Sequence, residues 1–345
     1  MMNILNWKRI LIIQTAFIGD VVLALPLLQV LRKNFPSAKI DFMLIPRTAE
    51  LLKNHPDVND VIIFDKKGKD KGLMGIIKMV KLVSQRNYDA VFIPHRHFRS
   101  AIIPFLAGIK IRVGFDKSVF KFLYTHVVKY KQIHEIERNL SLLEPFGIKF
   151  QVKELPNLYP SEYERDYIDR FISNVNSKLI CIAPGSVWAT KRWLKERFAE
   201  LVKLLIEDGF VVALVGGVED FELCEEIKNM ISSENVFNFC GKLSLLQSAE
   251  LLRRSILLVS NDSAPMHIAV AMRTPVVAIF GSTIPEFGFY PYGEKDKIVQ
   301  VENLYCRPCG IHGRKKCPEG HFKCMKLIET EKVYSAVKSV IQSLQ

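Results

Sequence analysis

The sequence predicts an α/β fold in which two Rossmann-like domains each contain a parallel β-sheet. Short apolar runs alternate with stretches of helical spacing, which is typical of parallel βαβ units. The 345 residues are enough for two separate hydrophobic cores. A polar segment with Pro156, Pro160 and Ser161 separates two such alternating series. We therefore expect an N-terminal domain over residues 1–160 and a C-terminal domain over residues 161–345.

Each half of the sequence supplies five short, apolar strand candidates. In the first half these are residues 9–14, 40–44, 61–64, 90–94 and 111–114, with helix candidates at 20–33, 75–85 and 100–107. In the second half they are residues 179–183, 210–215, 236–239, 256–260 and 276–280. A last helix is predicted over 331–344. No strand follows that helix, and the sequence allows it to pack across the domain junction.

The excess positive charge lies entirely in the first half. The formal net charge is +12, and residues 1–150 carry 24 Lys and Arg against 12 Asp and Glu, whereas residues 151–345 carry 24 of each kind. This asymmetry favours a polyanionic partner, with general solubility as the less specific interpretation. The basic residues follow no RNA-binding or zinc-finger pattern. We therefore expect no nucleic acid and place an anionic lipid or glycan first.

No apolar stretch approaches the roughly 20 residues that span a bilayer, so any membrane contact is expected to be peripheral. The first apolar run resembles the core of a signal peptide, but Gln14, Gly19 and Asp20 interrupt it. The sequence therefore predicts a cytoplasmic protein.

Asp20 follows the first strand candidate and is the first candidate site residue. Gly19 is expected to let the backbone turn sharply, and Asp20 to open the first helix. One interpretation is a helix cap, since Asp accepts hydrogen bonds from free N–H groups there. The other is a general base at the carboxyl end of a strand, which takes a proton from an acceptor hydroxyl.

Further candidates follow strands of the second half. The N–H groups of Gly185 and Ser186 can approach a phosphate, and the Lys191 ammonium can balance its charge. Gly216 and Gly217 end the next strand and leave the backbone free to pass close to a ligand. A solvated loop is the alternative for the segment that contains Lys191.

Residues 260–267 predict a strand-to-helix turn that binds phosphate. Ligands bind at the carboxyl ends of parallel strands, and a helix N-terminus there favours an anion. Asp262 is expected to cap the helix or accept sugar hydroxyls, and Ser263 to bind phosphate. His267 lies one turn later and is either a ligand contact or a core residue. A Gly-x-Gly-x-x-Gly motif and a Walker lysine motif are missing from the sequence, which disfavours dinucleotide oxidoreduction and P-loop hydrolysis.

The seven cysteines fall into two groups. Three lie in or beside apolar segments and are expected to be buried thiols: Cys181, Cys224 and Cys240. Four fall within 19 residues: Cys306, Cys309, Cys317 and Cys324. Four thiolates can hold a structural zinc or iron ion, and reduced cysteines in a packed loop are the alternative.

Taken together, these motifs resemble those of the glycosyltransferase family 9 heptosyltransferases over nearly the whole chain. The resemblance rests on Gly19-Asp20-Val21, Pro184-Gly185-Ser186, Lys191-Arg192-Trp193, Gly216-Gly217, Asn261-Asp262-Ser263 with His267, Thr274-Pro275-Val276-Val277 and Phe280-Gly281-Ser282-Thr283. The cysteine-rich segment from Cys306 to Met325 favours the second lipopolysaccharide heptosyltransferase type over the first.

The resemblance implies a GT-B enzyme, in which two Rossmann-like domains face a central cleft. It implies inverting transfer of L-glycero-D-manno-heptose from its ADP derivative to the lipopolysaccharide inner core, a heptosyl-Kdo-lipid A type acceptor. No cofactor is expected for catalysis. The first domain would bind the acceptor and the second the donor. An acceptor in the inner membrane implies peripheral association with the anionic inner face of that membrane, which attracts the basic first half.

Site roles are carried over by motif. Asp20 is the implied base, and the diphosphate is implied to contact Ser186, Lys191, Ser263 and His267. The implied donor contacts also include Gly185, Gly216, Gly217, Asp262 at the sugar and Leu243 near the adenine. Ala264 stands where the family commonly has glycine, which alters the closest backbone approach to the donor. The ribose-binding carboxylate is left open among Glu219, Asp220 and Glu222.

Two other functions remain open from the sequence. A heptosyltransferase with a cysteine-bound metal would act on a protein acceptor. A nucleotide-sugar binding module would bind the donor without transferring it.

Overall fold

The computed structural model describes residues 6–150, 153–173 and 177–344. The chain forms two compact units, Met1–Tyr159 and Pro160–Gln345. Within the described residues each unit has a six-stranded parallel sheet with helices around it. The predicted α/β fold class is confirmed.

The first sheet has the strand order β3-β2-β1-β4-β5-β6. Its strands are β1 (Arg9–Ile13), β2 (Lys39–Leu44), β3 (Asp60–Ile63), β4 (Ala90–Ile93), β5 (Ile111–Phe115) and β6 (His126–Val128). Strands β1 and β4 are apolar runs that are almost entirely buried, as expected for central strands of a parallel sheet covered on both faces.

Four helices of the first unit are α1 (Ile18–Asn34), α2 (Gly72–Gln85), α3 (Phe98–Leu106) and α4 (Glu135–Leu140). Helix α1 is buried on all sides between residues 21 and 31 and packs against α4. One apolar cluster joins β1 and β4 to α2 and α3, with Leu11, Val91, Met79 and Ala101 among its members. Burial of these faces holds the segments that follow β1, β3 and β4 in place.

The second sheet has the order β12-β11-β10-β7-β8-β9. Its strands are β7 (Leu179–Ala183), β8 (Val211–Leu214), β9 (Val236–Asn238), β10 (Leu257–Asn261), β11 (Val276–Phe280) and β12 (Lys297–Gln300). Numbered within each unit, both sheets follow the order 3-2-1-4-5-6, in which ligands bind where the strand order reverses. That point lies between β1 and β4 in the first unit and between β7 and β10 in the second.

The second unit contains the remaining helices of the described residues: α5 (Glu162–Ile172), α6 (Lys195–Glu207), α7 (Phe221–Asn229), α8 (Leu245–Arg254), α9 (Ala264–Ala271), α10 (Lys323–Lys326) and α11 (Thr330–Gln342). Both units also contain short 3₁₀ helices. Those of the first unit are Pro46–Leu52, Lys121–Leu123 and Ser141–Phe146, and those of the second are Ala189–Lys191, Val218–Asp220 and Pro285–Phe287. Helix α11 packs on α6 and on β10, β11 and β12 of its own unit. No described helix is long and apolar enough to cross a membrane.

The structure adds two strands that the apolar runs did not indicate. Strands β6 and β12 are short edge strands, and each is only partly buried. A second difference concerns Gly19, which was expected in a turn before the first helix. Helix α1 begins at Ile18, so Gly19 and Asp20 lie in its first turn.

Candidate active site

The second unit places its candidate site residues on two loops that follow adjacent strands. Strands β7 and β10 pair in parallel, with Ala183 opposite Ser260 near their carboxyl ends. The buried Asn261 joins the two loops. Its amide nitrogen donates to the Pro184 carbonyl at 2.7 Å, and its side-chain oxygen accepts from the Trp193 N–H at 3.1 Å. Both ends of the loop over residues 184–193 are therefore fixed to the end of β10.

Lys191 and Asp262 form a buried ion pair at the centre of this site. The Lys191 ammonium lies 2.6 Å from Asp262 Oδ2, with side-chain exposures of 12% and 6%. The ammonium also donates to the Asp262 carbonyl at 3.2 Å. Thr283, after β11, donates to the same carboxylate oxygen at 2.7 Å. Asp262 is therefore held by both Lys191 and Thr283. In this way the loops after β7, β10 and β11 together orient the Lys191 ammonium.

The turn after β10 exposes a helix N-terminus. Ser263 is the N-cap of α9, and Ser263, Ala264 and Pro265 are half-buried. Helix α9 has no acidic residue in its first turn, so the partial positive charge of its N-terminus suits an anion. The predicted strand-to-helix turn is present, with Ser263 as the capping residue and Asp262 just before it.

His267 lies one turn into α9 and is buried. The pKa of its imidazole is lowered to about 4, mainly by burial and also by Lys191, against the opposing effect of Asp262. The ring is therefore neutral at physiological pH and within electrostatic range of the ion pair. A neutral imidazole both donates and accepts one hydrogen bond, so His267 contributes a polar group without adding charge.

Because Gly185 and Gly216 carry no side chain, the Asp220 carboxylate fits between the loops after β7 and β8. A Cβ at Gly185 would lie 2.2 Å from the Asp220 carboxylate, and a Cβ at Gly216 would lie 2.9 Å from the same group. Asp220 also accepts from the Gly217 N–H at 3.1 Å. Asp220 therefore fills the space between the loops, whereas the sequence left it as one of three ribose candidates.

We expect Gly185→Ala to lower the free energy of unfolding by about 1–3 kcal/mol, the usual cost of overpacking a close contact. Denaturant unfolding measures this. In an Asp220→Ala background the added methyl group should cost much less, because the clashing carboxylate is gone. Equal costs in both backgrounds would contradict the packing described for Asp220.

The turn after β9 lies beside the same loops. The Gly241 N–H donates to the Gly216 carbonyl at 3.1 Å, and the Lys242 ammonium sits 5.6 Å from the centre of the Phe221 ring. Leu243 follows and is half-buried. The structure thus brings the predicted adenine-side residue onto the same edge of the sheet as Gly216.

The cysteine-rich segment packs against the Lys191 loop. The Thr190 hydroxyl lies 2.9 Å from the Ser282 hydroxyl and accepts from the Arg314 N–H at 2.7 Å. The Arg307 guanidinium donates to the Thr283 carbonyl at 2.7 Å. Gly313 has φ +82°, and a Cβ there would lie 3.2 Å from Lys191 Cγ. Residues 307–314 therefore support the loops that position Lys191 and Asp262.

The four clustered cysteines do not assemble the predicted metal centre. Burial and, to a smaller extent, the other three thiols raise the pKa of the Cys324 thiol to about 11, so the four lie near one another. The Cys306 sulfur lies 3.8 Å from His321 Nε2. The Cys309 thiol donates to the Cys306 carbonyl at 3.5 Å. Across residues 6–150, 153–173 and 177–344, no three His, Cys, Asp or Glu side chains converge closely enough to hold a metal ion. The residues present do not fit a structural zinc or iron ion in this arrangement.

The other three cysteines are buried, as predicted. Cys181, Cys224 and Cys240 have no exposed surface, and the sulfur atoms of Cys224 and Cys240 lie 2.7 Å apart.

In the first unit, Asp20 lies in the first turn of α1 and is half-buried. Its carboxylate accepts from the Phe17 N–H at 3.1 Å. Asp20 therefore satisfies a backbone group at the helix start, from the third helical position and not from the N-cap. This bond leaves the sequence-based choice between cap and base open, because one carboxylate carries several acceptor sites.

A buried carboxyl lies within electrostatic range of Asp20. The pKa of Glu135 is raised to about 7, mainly by burial and also by Asp20, against the opposing effect of Arg138. Arg138 is buried, pairs with Glu135, and lies 4.2 Å from the centre of the Tyr130 ring. Arg96 lies 4.4 Å from the same ring centre. Asp20 thus shares its surroundings with two guanidinium groups and a second carboxyl.

Sequence reasoning missed several residues that shape the two sites. Thr283 and Asn261 stood in motifs without an assigned role, and Asp220 was one of three acidic candidates. Glu135 gave no signal, because nothing local in the sequence shows that α4 packs on α1. A Thr or Asn placed just after a buried strand is the signal that could have identified the first two residues.

Comparisons with known proteins identify the family of the chain. Residues 76–322 match the family model of glycosyltransferase family 9 (heptosyltransferase). Lipopolysaccharide heptosyltransferase 2 of Escherichia coli (strain K12) is 30% identical over 314 residues, covering 86% of this chain and 89% of that protein. A family 9 glycosyl transferase from Veillonella parvula DSM 2008 has a TM-score of 0.85 at 25% identity, covering 98% of each chain. The E. coli ADP-heptose lps heptosyltransferase II has a TM-score of 0.80 at 26% identity, covering 98% of this chain and 100% of that one. The chain therefore belongs to glycosyltransferase family 9, the heptosyltransferases, and is a glycosyltransferase with the GT-B fold.

Proposed function

We propose that this enzyme transfers L-glycero-D-manno-heptose from its ADP derivative to the inner core of lipopolysaccharide, on a heptosyl-Kdo-lipid A type acceptor. The observation that carries the proposal is the ion pair of Lys191 with Asp262 beside the N-terminus of α9. That arrangement offers a cation, hydroxyl groups and the partial positive charge of a helix N-terminus to a diphosphate at the point where ligands bind in such sheets. The similarity to E. coli lipopolysaccharide heptosyltransferase 2 supports the choice of donor and acceptor.

In this proposal the second unit binds the donor. Ser186, Ser263, His267 and the Lys191 ammonium hold the diphosphate, and Gly185, Gly216 and Gly217 allow the backbone to approach it. Asp262 orients Lys191 and contacts the donor sugar, while Leu243 lies near the adenine. The half-buried Ala264 leaves the donor less room to approach the backbone at the start of α9 than a glycine would.

The proposed chemistry is a single displacement with inversion at the anomeric carbon. The acceptor oxygen forms a bond to that carbon and transfers its proton to Asp20, while the bond to the diphosphate oxygen breaks. The leaving ADP keeps the electron pair, and its added charge is balanced by Lys191 and by the partial positive charge at the N-terminus of α9. Each such donor group typically contributes a few kcal/mol of transition-state stabilisation. This route requires no cofactor.

Incubation of the full chain with ADP-heptose and lipopolysaccharide acceptors truncated before and after the first heptose tests the proposal. Mass spectrometry should show one added heptose on the heptosyl-Kdo-lipid A type acceptor and none on the shorter one. ADP-glucose is a matched donor control. Transfer only to protein, or donor binding without any product, would overturn the proposal.

We further propose that the first unit binds the anionic inner face of the inner membrane, where such an acceptor is presented to the cytoplasm. Five large apolar side chains in segments after β1, β3 and β5 are exposed by 62–81%: Phe17, Leu73, Met74, Val119 and Phe122. The same edge carries the lysines at 66, 67, 69, 71, 117 and 121. Exposed apolar groups among basic residues are typical of a peripheral membrane contact.

We expect replacement of both Val119 and Phe122 by serine to weaken binding to phosphatidylglycerol vesicles by at least about tenfold, because burial of such side chains contributes about 1.5–3 kcal/mol each. Vesicle sedimentation measures it. Tyr163→Ser is the control, since Tyr163 is 65% exposed but lies in the second unit. Vesicle binding that does not change with salt concentration, or an equal loss of vesicle binding in Tyr163→Ser, would contradict the proposal that this surface binds the membrane.

A further inference from the structure

The cysteine-rich segment carries two thiols spaced as Cys-x-x-Cys. Cys306 and Cys309 lie three positions apart in the segment after β12, and both are half-buried. The Cys309 thiol donates to the Cys306 carbonyl at 3.5 Å, so its side chain turns back toward the first cysteine. A Cys-x-x-Cys pair beside a βαβ unit is typical of thiols that form a reversible disulfide bond.

The Cys306 sulfur has surroundings that suit a reactive thiol. It lies 3.8 Å from His321 Nε2. His321 Nδ1 accepts from the Lys323 N–H at 3.0 Å, so Nε2 of a neutral ring carries the proton and faces the sulfur. Residues 306–325 carry five Lys and Arg against one Glu. Basic groups and N–H donors beside a sulfur stabilise the charge that it carries when it attacks an oxidant.

The Cys309 thiol is suited to the second step of such a reaction. Burial and, to a smaller extent, Cys306 and Cys317 raise its pKa, against the opposing effect of Arg314. Cys309 therefore stays protonated until the Cys306 sulfur has reacted. Of the two thiols that raise this pKa, Cys306 has the larger effect, which agrees with Cys306 as the partner of Cys309.

Two hydrogen bonds fasten the Cys-x-x-Cys pair to the loop after β11. The Cys309 N–H donates to the Ser282 carbonyl at 2.9 Å, and the Arg307 guanidinium donates to the Thr283 carbonyl at 2.7 Å. Thr283 in turn donates to Asp262 Oδ2 at 2.7 Å. A backbone shift in the pair therefore reaches the ion pair at the centre of the candidate site.

We propose that Cys306 and Cys309 form a redox-sensitive site, at which a peroxide closes a reversible disulfide bond and weakens nucleotide binding in the second unit. The Cys306 sulfur attacks one peroxide oxygen and the O–O bond breaks, which gives a sulfenic acid and one water molecule. The Cys309 sulfur then attacks the Cys306 sulfur, the S–O bond breaks, and a second water molecule leaves with the Cys309 proton. Two thiols and one hydrogen peroxide thus give one disulfide and two waters. An external thiol restores both cysteines by exchange.

Oxidation is expected to weaken the affinity for ADP roughly three- to tenfold, comparable to the loss of one hydrogen bond. The new bond draws the Cys309 sulfur away from the Cys306 carbonyl, and the backbone of the pair shifts with it. That shift weakens the hold on Thr283 and through it on Asp262, which orients the Lys191 ammonium. This effect rests on the proposed donor site, whereas the disulfide bond itself does not.

Mass spectrometry and calorimetry of the full chain test the site. The reduced protein is treated with hydrogen peroxide, and the remaining thiols are then alkylated. The peptide that contains Cys306 and Cys309 should lose about 2 Da and resist alkylation, because two hydrogen atoms leave when the bond forms. Titration with ADP should show the weaker affinity after peroxide and the original affinity after dithiothreitol.

Two variants separate this pair from the other thiols. Cys309→Ser keeps the backbone N–H that bonds to Ser282 but cannot form the disulfide, so peroxide should leave its ADP affinity unchanged. Cys317→Ser is the matched control, since Cys317 is a half-buried thiol of the same segment, and it should respond to peroxide like the wild type. Sensitivity that persists in Cys309→Ser, or that is lost in Cys317→Ser, would overturn the assignment of the pair.

Elemental analysis of the reduced protein, purified without chelators, is a second test. A zinc or iron content of about one ion per chain would overturn the redox site, because sulfur atoms that ligate a metal are not free to form this bond. A reduced protein that binds ADP but forms no bond between Cys306 and Cys309 would overturn the redox site alone. Failure of the reduced protein to bind ADP would instead overturn the proposed donor site.

Discussion

Asp20→Asn is expected to lower the turnover number for heptose transfer by roughly 10²–10⁴-fold, the usual contribution of a general base. Asparagine keeps the size of the side chain and an oxygen that can accept from the Phe17 N–H, so the start of α1 should persist. It cannot take the proton of the acceptor hydroxyl. The affinity for ADP should stay within about twofold, because the proposal places the nucleotide on the second unit.

Steady-state kinetics with ADP-heptose and isothermal titration with ADP measure the two quantities. Asp60→Asn is the matched control. Asp60 opens β3 at the opposite edge of the same sheet, and its side chain is 53% exposed. Turnover close to wild type in Asp20→Asn would refute Asp20 as the base, and an equal loss in Asp60→Asn would show that the change acts through stability.

Lys191→Met is expected to lower the turnover number roughly 10²–10³-fold, comparable to removing one donor group that stabilises developing charge. The same change leaves the Asp262 carboxylate with 6% side-chain exposure and no ammonium partner. Breaking a buried pair in this way typically costs about 3–5 kcal/mol of stability. Activity and stability should therefore both fall in the single variant.

The double variant Lys191→Met with Asp262→Asn separates these effects. It should regain much of the free energy of unfolding, because no buried charge is left unpaired, while its turnover should stay low. Lys195→Met is the control, since Lys195, at the start of α6, pairs with the exposed Glu226 of α7. Recovery of turnover in the double variant would show that Lys191 acts only by neutralising Asp262.

The sheet cores were predictable from sequence because buried parallel strands are continuous apolar runs. The runs at 179–183 and 276–280 became β7 and β11 with the same bounds. Strands β6 and β12 were not predictable in the same way, since an edge strand that starts with His126 or Lys297 is only partly buried. The positions of β6 and β12 in the sheets depend on pairing with β5 and β11.

The candidate site was predictable as a set of strand ends but not as a set of contacts. Asp262, Ser263 and Lys191 could be named because polar residues directly after buried strands lie at one edge of a parallel sheet. The pairing of Lys191 with Asp262, 71 positions apart, and the bond from Thr283 depend on loop conformations that no local pattern encodes. The metal prediction failed for the same reason, because spacing along the chain does not fix the directions of four thiols.

The contacts of Thr190 with Ser282 and Arg314 have a consequence for how the second unit can be divided. The segment after β12 adds no strand to the sheet, yet it supports the loop that carries Lys191. A fragment cut at the end of the sheet would keep every strand and lose that support. Exchange of donor loops between relatives should therefore transfer residues 184–193 together with 282–283 and 307–314 as one unit.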